Sequence, residues 1–201
     1  MLWKIYCLLV VVLTLLGCGV PLSQRVPIQR DGTIQQTVYV DERFTIEEYW
    51  TIHSAAREWF FVSRQKVIFN LIYPSRIDES QHDRNVIVKT DSHHSWVESR
   101  EEQYKASKEK REILGFWRPW AWRSQEWYLY IVTDRLSDLS KFRAVAMHEL
   151  GHALFLDHHT NGEGILNAAV NMKVGCLTAA DMQEFVRVYS QDLAVTNYCE
   201  P

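Results

Sequence analysis

The stretch His148-Glu149-Leu150-Gly151-His152-Ala153-Leu154-Phe155-Leu156-Asp157-His158 decides how much of the rest must fold. The pattern from Ser140 to Leu154 predicts an α-helix, and in a helix His148 and His152 stand about 40° apart on one face, one turn apart along the axis. Both imidazoles can therefore reach one metal ion. His158 cannot join them from a continued helix, because it would lie about 9 Å beyond His152 along the axis and on another face. The chain must turn between 152 and 158.

Working outward, Thr178 to Tyr189 reads as a further helix, opened by the capping pattern Thr178-x-x-Asp181. Upstream, Thr45 to Phe61 places Ile46, Tyr49, Trp50, His53, Ala56, Arg57 and Phe60 at spacings of three and four, an amphipathic helix with His53 on its face. Lys66 to Tyr73, Asn85 to Lys89 and Trp127 to Thr133 read as strands, and Val38 to Val40 is a candidate fourth. Glu98 to Ile113 carries Glu101/Lys105 and Lys108/Glu112 four apart and reads as a solvated helix or loop without chemistry. Strands come first and helices later, without repeats, which is an α+β layout.

At 201 residues, 47% hydrophobic and 23% charged, the chain can bury one core and does not read as disordered. A formal net charge of -3 with no Lys/Arg block argues against a nucleic-acid partner. A monomer is expected.

The string HELGHALFLDH resembles the extended zinc signature of the metzincin metallopeptidases, and its flanks look most like the matrixin branch. The similarity covers roughly Trp127 to Tyr189. It implies a metzincin-like zinc peptidase domain over residues 38–201: a mixed twisted sheet with an N-terminal helix, a zinc-binding active-site helix and a C-terminal helix. It implies one catalytic Zn2+ held by His148, His152 and His158, with Glu149 as the general base for a zinc-activated water. The expected substrate is an extended polypeptide. The Trp-rich stretch Gly115 to Trp127 stands where the family places its substrate-pairing edge strand, so Trp120 and Trp122 are candidate walls of the cleft, with Leu166 as part of its floor. Plain core and lid packing is the other reading of these tryptophans. A peptide deformylase also uses HExxH, but its cysteine ligand precedes the helix, and no cysteine lies between Cys18 and His148.

Two positions depart from the family pattern. Phe155 stands where metzincins usually place a glycine for a sharp turn, and a left-handed backbone there costs about 1 to 2 kcal/mol. Three outcomes are open: other dihedrals, strain offset by metal energy, or a displaced third ligand with His159 in reserve. Leu166, in Gly164-Ile165-Leu166-Asn167, stands where matrixins carry the methionine of the Met-turn; it is apolar and of similar volume, and Met172 lies too far along to replace it. These departures motivate a second reading, a non-catalytic zinc-stabilised lipoprotein that binds a peptide or envelope partner. His82, His93 and His94 lack the spacing of a matrixin structural zinc site and read as surface residues.

The chain opens with Lys4, an apolar run Ile5 to Leu16 too short to span a bilayer, and Leu15-Leu16-Gly17-Cys18. That stretch resembles the lipobox of bacterial lipoproteins. The resemblance implies a signal peptide over 1–17, acylation of Cys18, a spacer over 18–37, and an extracytoplasmic protein lipid-anchored to a bacterial cell membrane. Outside the cytoplasm Cys176 and Cys199 are expected to form one disulfide, with two buried thiols as the alternative.

Overall fold

The computed structural model describes residues 26–78, 84–107, 112–119, 126–159, 164–167 and 175–189. Five strands and four helices are formed by these residues: β1 (Ile34–Asp41), α1 (Ile46–Val62), β2 (Val67–Ser75), β3 (Asn85–Thr90), α2 (Ser95–Ala106), β4 (Gly115–Pro119), β5 (Trp127–Val132), α3 (Leu139–Ala153) and α4 (Ala179–Tyr189). The sheet order is β2-β1-β3-β5-β4, with β4 antiparallel to β5 and every other pairing parallel. This is the expected mixed α+β sheet, with β4 on one rim and β2 on the other.

Alternation along β5 sorts the two faces. Trp127, Leu129 and Ile131 join the main core with α1, α3 and α4, while Tyr128, Tyr130 and Val132 join a smaller core with Val97 of α2. In that second layer Trp96 stacks on Phe116 at 4.2 Å and Phe116 on Tyr130 at 4.5 Å. The charged segment read as solvated is thus a helix, and it has a task. Glu101 accepts from Ile113 N while Arg135 pairs with Glu101 and donates to Ile113 O, holding both backbone groups of the residue that leads into β4.

Three expectations are corrected. β1 begins at Ile34, within the stretch expected as spacer, and Ile28 already bridges to Ile34. Its polar Gln36 is buried because both ends of its amide are used: Nε2 donates to Ala153 O at 3.0 Å and Oε1 accepts from Trp127 Nε1 at 3.1 Å. The buried face of α1 is Ile52, Ala55, Ala56, Trp59 and Val62, rotated away from the apolar set read from the sequence, which leaves Ile46 and Trp50 exposed. The cause is α3, which packs on this face and whose Met147 O accepts from Trp59 Nε1 at 3.0 Å. His94 is also no simple surface residue, since its Nδ1 caps α2 through Trp96 N and its ring lies 5.4 Å from Phe116.

α1 starts at a full capping box. Thr45 Oγ1 accepts from Glu48 N at 3.2 Å, and Glu48 Oε2 accepts from Thr45 N at 2.6 Å. Thr45→Ala removes one half of this exchange and is expected to cost about 1 kcal/mol. Urea unfolding should show a lower midpoint with an unchanged slope.

Candidate metal centre

α3 is started by Asp138, whose carboxylate accepts from Lys141 N at 2.9 Å and Ser140 Oγ at 2.6 Å. These bonds, Ser140 first, pull its pKa down to about 2. The helix then runs buried on every side from Ala144 to Gly151 and ends at Ala153, and an added Cβ on Gly151 would stand 2.4 Å from Leu166 Cδ2. No side chain fits there.

The end of α3 settles what Phe155 does. Its φ is +57°, the left-handed conformation, with Phe155 N bonded to His152 O at 2.8 Å and Leu156 N to Gly151 O at 3.1 Å. That pair of bonds is a Schellman motif, closed here by a phenylalanine in place of glycine. The conformational cost of about 1 to 2 kcal/mol is set against packing. Leu156 is buried, and the Phe155 ring meets Trp117 of β4 edge-on at 5.6 Å.

The reversal carries His158 back to the helix. The Nε2 atoms of His148, His152 and His158 stand 3.1, 3.0 and 3.2 Å apart, a near-equilateral triangle. Behind them His148 Nδ1 faces Ile165 O at 2.7 Å and His152 Nδ1 faces Leu156 O at 2.8 Å. A carbonyl oxygen only accepts, so in each neutral ring the proton is on Nδ1 and the lone pair is on Nε2. Burial lowers the pKa of His148 well below its ordinary value, that of His152 to about 4, and that of His158 by a lesser amount. The rings are therefore neutral at pH 7, with lone pairs converging.

Converging lone pairs at this distance repel unless a cation lies between them. Tetrahedral ligands about 2.0–2.1 Å from zinc are about 3.3 Å apart, so the triangle fits that ion with little adjustment. These three are the one such cluster among the described residues. His159, considered as a reserve ligand, is committed elsewhere: its Nε2 lies 3.0 Å from Asp181 Oδ1.

Asp181 is the residue whose importance the sequence understated. Read there as a capping partner of Thr178, it is fully buried and also accepts from Ile165 N at 3.0 Å, Leu166 N at 2.7 Å and Thr178 N at 2.8 Å. It thereby holds the 164–167 turn whose Ile165 carbonyl orients His148. Gly164 in that turn has φ +93°, and a Cβ there would stand 2.5 Å from Thr178 Oγ1. Leu166 is wholly buried beneath α3, against Gly151.

Glu149 points the other way, toward the sheet rim. An added Cβ on Gly115 of β4 would stand 2.6 Å from Glu149 Oε1, so the missing side chain of Gly115 makes room for the carboxyl. Glu149 Oε2 is buried with no hydrogen-bond partner among the described residues, and burial raises the pKa to about 8. Trp117 is the one tryptophan of the Trp-rich stretch ahead of Trp127 that lies in described β4; Trp120 and Trp122 lie outside the described residues, as do Cys18, His82, Met172 and Cys199. Cys176 is disulfide-bonded.

Two outcomes follow from these contacts. Asp181→Asn places an amide NH2 among donors that need an acceptor, so it should lower stability by about 3 kcal/mol and weaken zinc binding roughly tenfold or more in a chelator competition. The metal-free protein should also lose stability in acid. Folded His152 has a depressed pKa, about 4 against an ordinary 6.5, so between those values the unfolded chain takes up a proton that the folded one refuses. Glu149, raised to about 8, acts in the opposite sense above its ordinary 4.5, so thermal melts at pH 7, 5.5 and 4 should show most of the fall in midpoint between pH 5.5 and 4.

A family model described as Matrixin matches residues 32–190. No curated protein sequence gives a significant match. Among solved structures, myroilysin aligns with a TM-score of 0.51 at 15% identity, covering 88% of this chain and 100% of that one. Archaemetzincin from Methanopyrus kandleri aligns with a TM-score of 0.50 at 10% identity, covering 82% and 100%. High choriolytic enzyme 1, a hatching-enzyme zinc protease from Oryzias latipes (medaka fish), aligns over 71% of this chain at 15% identity and a TM-score of 0.38, and the chain spans about half of its length, 53%. The structural likenesses speak for the fold alone, but the family match extends from just ahead of β1 to just beyond α4 and takes in every element that builds the histidine triangle, so the chain belongs to the matrixin peptidase family.

Proposed function

We propose that this protein is a zinc-dependent endopeptidase acting on extended polypeptide, held outside a bacterial cell by a lipidated Cys18. The observation that carries the reading is the pairing of a closed triangle of Nε2 lone pairs with an unpartnered Glu149 Oε2 next to it in the chain. His148, His152 and His158 would hold the ion, and zinc so held supplies Lewis acidity toward the scissile carbonyl.

The chain's own residues then do the rest. Glu149 Oε2 takes the proton of the attacking water and returns it to the nitrogen of the departing amine. The carboxyl lies buried in the space left by Gly115, and burial raises its affinity for a proton above that of an ordinary glutamate, which favours uptake of the water's proton. Among the described residues β4 is the sheet rim beside it, paired on one side, and an extended peptide can add to that rim by main-chain hydrogen bonds.

The tether rests on the sequence from Lys4 to Cys18. The described helices are compatible with it, as none of them is long and apolar enough to cross a membrane. With residues 1–17 removed as a signal peptide, a short spacer from Cys18 leads to Val26, and Cys199 is the proposed partner of the disulfide-bonded Cys176. The departures at Phe155 and Leu166, which motivate a non-catalytic reading, are both accommodated: one closes a Schellman motif and the other fills the space under α3.

Glu149→Gln should abolish cleavage of a peptide library while leaving one zinc per chain, because the carboxyl moves protons and is no ligand. Measured by metal analysis beside the cleavage assay, full activity in this variant would sink the mechanism. No cleavage by the zinc-loaded parent would transfer the weight to a binding protein.

A further inference from the structure

Part of the apolar stripe that the sequence offers on α1 faces outward, while its Ala56 and Tyr49 belong to the core side. At 100° per residue Ile46, Trp50, His53, Arg57 and Phe61 fall within an arc of about 80°, opposite the buried set Ile52, Ala55, Ala56, Trp59 and Val62. Ile46 is 51% exposed, Trp50 57% and Phe61 55%. No acidic residue interrupts the stripe. Of the three acids of the helix, Glu48 pairs with Lys89 on the far side and Glu58 with Arg143, while the exposed Glu47 borders the stripe about 40° beyond Phe61; Arg57 lies over the Phe61 ring at 5.2 Å.

The stripe continues past the helix. Arg64 follows in a left-handed turn, and Lys66 O accepts from Ile34 N at 2.7 Å, so this end of α1 sits beside the start of β1. Ile28, 47% exposed, bridges to Ile34, which brings Ile28 and the exposed Arg30 to the same pole. An outward face of tryptophan, phenylalanine and isoleucine mixed with arginine is the composition that settles in a lipid headgroup region. Arginines near an anionic membrane surface are each attracted to it.

We infer that the outward face of α1, with Ile28 and Arg30, lies on an anionic lipid bilayer. The inference rests on the lipid-anchored reading for its geometry: a chain from Cys18 to Val26 reaches no more than about 27 Å, so an acylated Cys18 keeps this pole close to the membrane. α1 is about 25 Å long and packs over β2 and α3, so docking along its length leaves the β4 rim clear. The partner is a lipid surface rather than a protein groove, because the face is convex and its exposed arginines, Arg30, Arg57 and Arg64, outnumber the acids that border it, Asp31 and Glu47.

Hydroxyl-radical footprinting of the full chain in vesicles tests this. Vesicles of phosphatidylglycerol and phosphatidylcholine in equal parts are compared with pure phosphatidylcholine, with Trp96, under the opposite face of the sheet, as internal reference. Oxidation of Trp50 and Phe61 relative to Trp96 should fall roughly fivefold in the anionic vesicles, and Arg57→Glu/Arg64→Glu should restore it. Ratios that ignore lipid charge and the arginine substitutions would overturn the inference. So would protection that tracks protein density, which marks a second copy of the chain on this face. Intact mass of the same preparation reports acylation of Cys18 separately. An acylated chain with an unprotected α1 sinks the docking face and leaves the tether standing, whereas an unacylated chain with a protected α1 does the reverse.

Discussion

Three ring nitrogens must meet within about 3.3 Å of one another if they are to share one ion, and two of them already belong to one helix. Everything around the site follows from bringing in the third. α3 must stop, the chain must reverse at once, and the reversing residue must take a left-handed backbone, which Phe155 does at φ +57°. The reversal is held from below by Asp181, which fixes the 164–167 turn and through it the ring of His148. Gly151 then lets that turn press on the helix through Leu166. Each of these is a steric or hydrogen-bonding condition on one geometry.

The sheet enters through the carboxyl between the histidines. Glu149 occupies space that Gly115 leaves open on β4, so its carboxyl and the rim strand are placed by the same contact. Two long-range bonds keep that contact in register. Trp59 ties α1 to the middle of α3, and Gln36 ties β1 to its last residue and to β5. Both are buried bonds that give the side chains making them, the Trp59 indole and the Gln36 amide, the partners burial requires.

The helix of the histidines, the turn after it and the α+β order were legible because they rest on backbone period and on ligand reach, which residue types reveal directly. The rest depended on partners. Gln35, Gln36 and Thr37 disguised the start of β1, since a glutamine looks buried only once Ala153 O and Trp127 Nε1 are known. α1 was given the wrong inner face because Ile46, Trp50 and Phe60 outweigh alanines by hydropathy, whereas the face that packs on α3 is the one with Ala55 and Ala56. The cost at Phe155 was calculable in advance, but choosing among three outcomes required its contact with Trp117. Asp181 showed its capping role in the sequence and hid the backbone amides of a turn that lies elsewhere in the chain.

The opposite rim has its own logic. β2 is longer than β4 and parallel to its single neighbour, so its outer side would be an inviting template for another copy's strand. Pro74 interrupts it with a position that has no N–H to give, and Asn70 and Ile72 alternate outward without forming a continuous apolar band. Among the described residues the sheet thus has two open rims of unlike character, and the one formed by β2 carries a proline that discourages a second copy of the chain from zipping onto it.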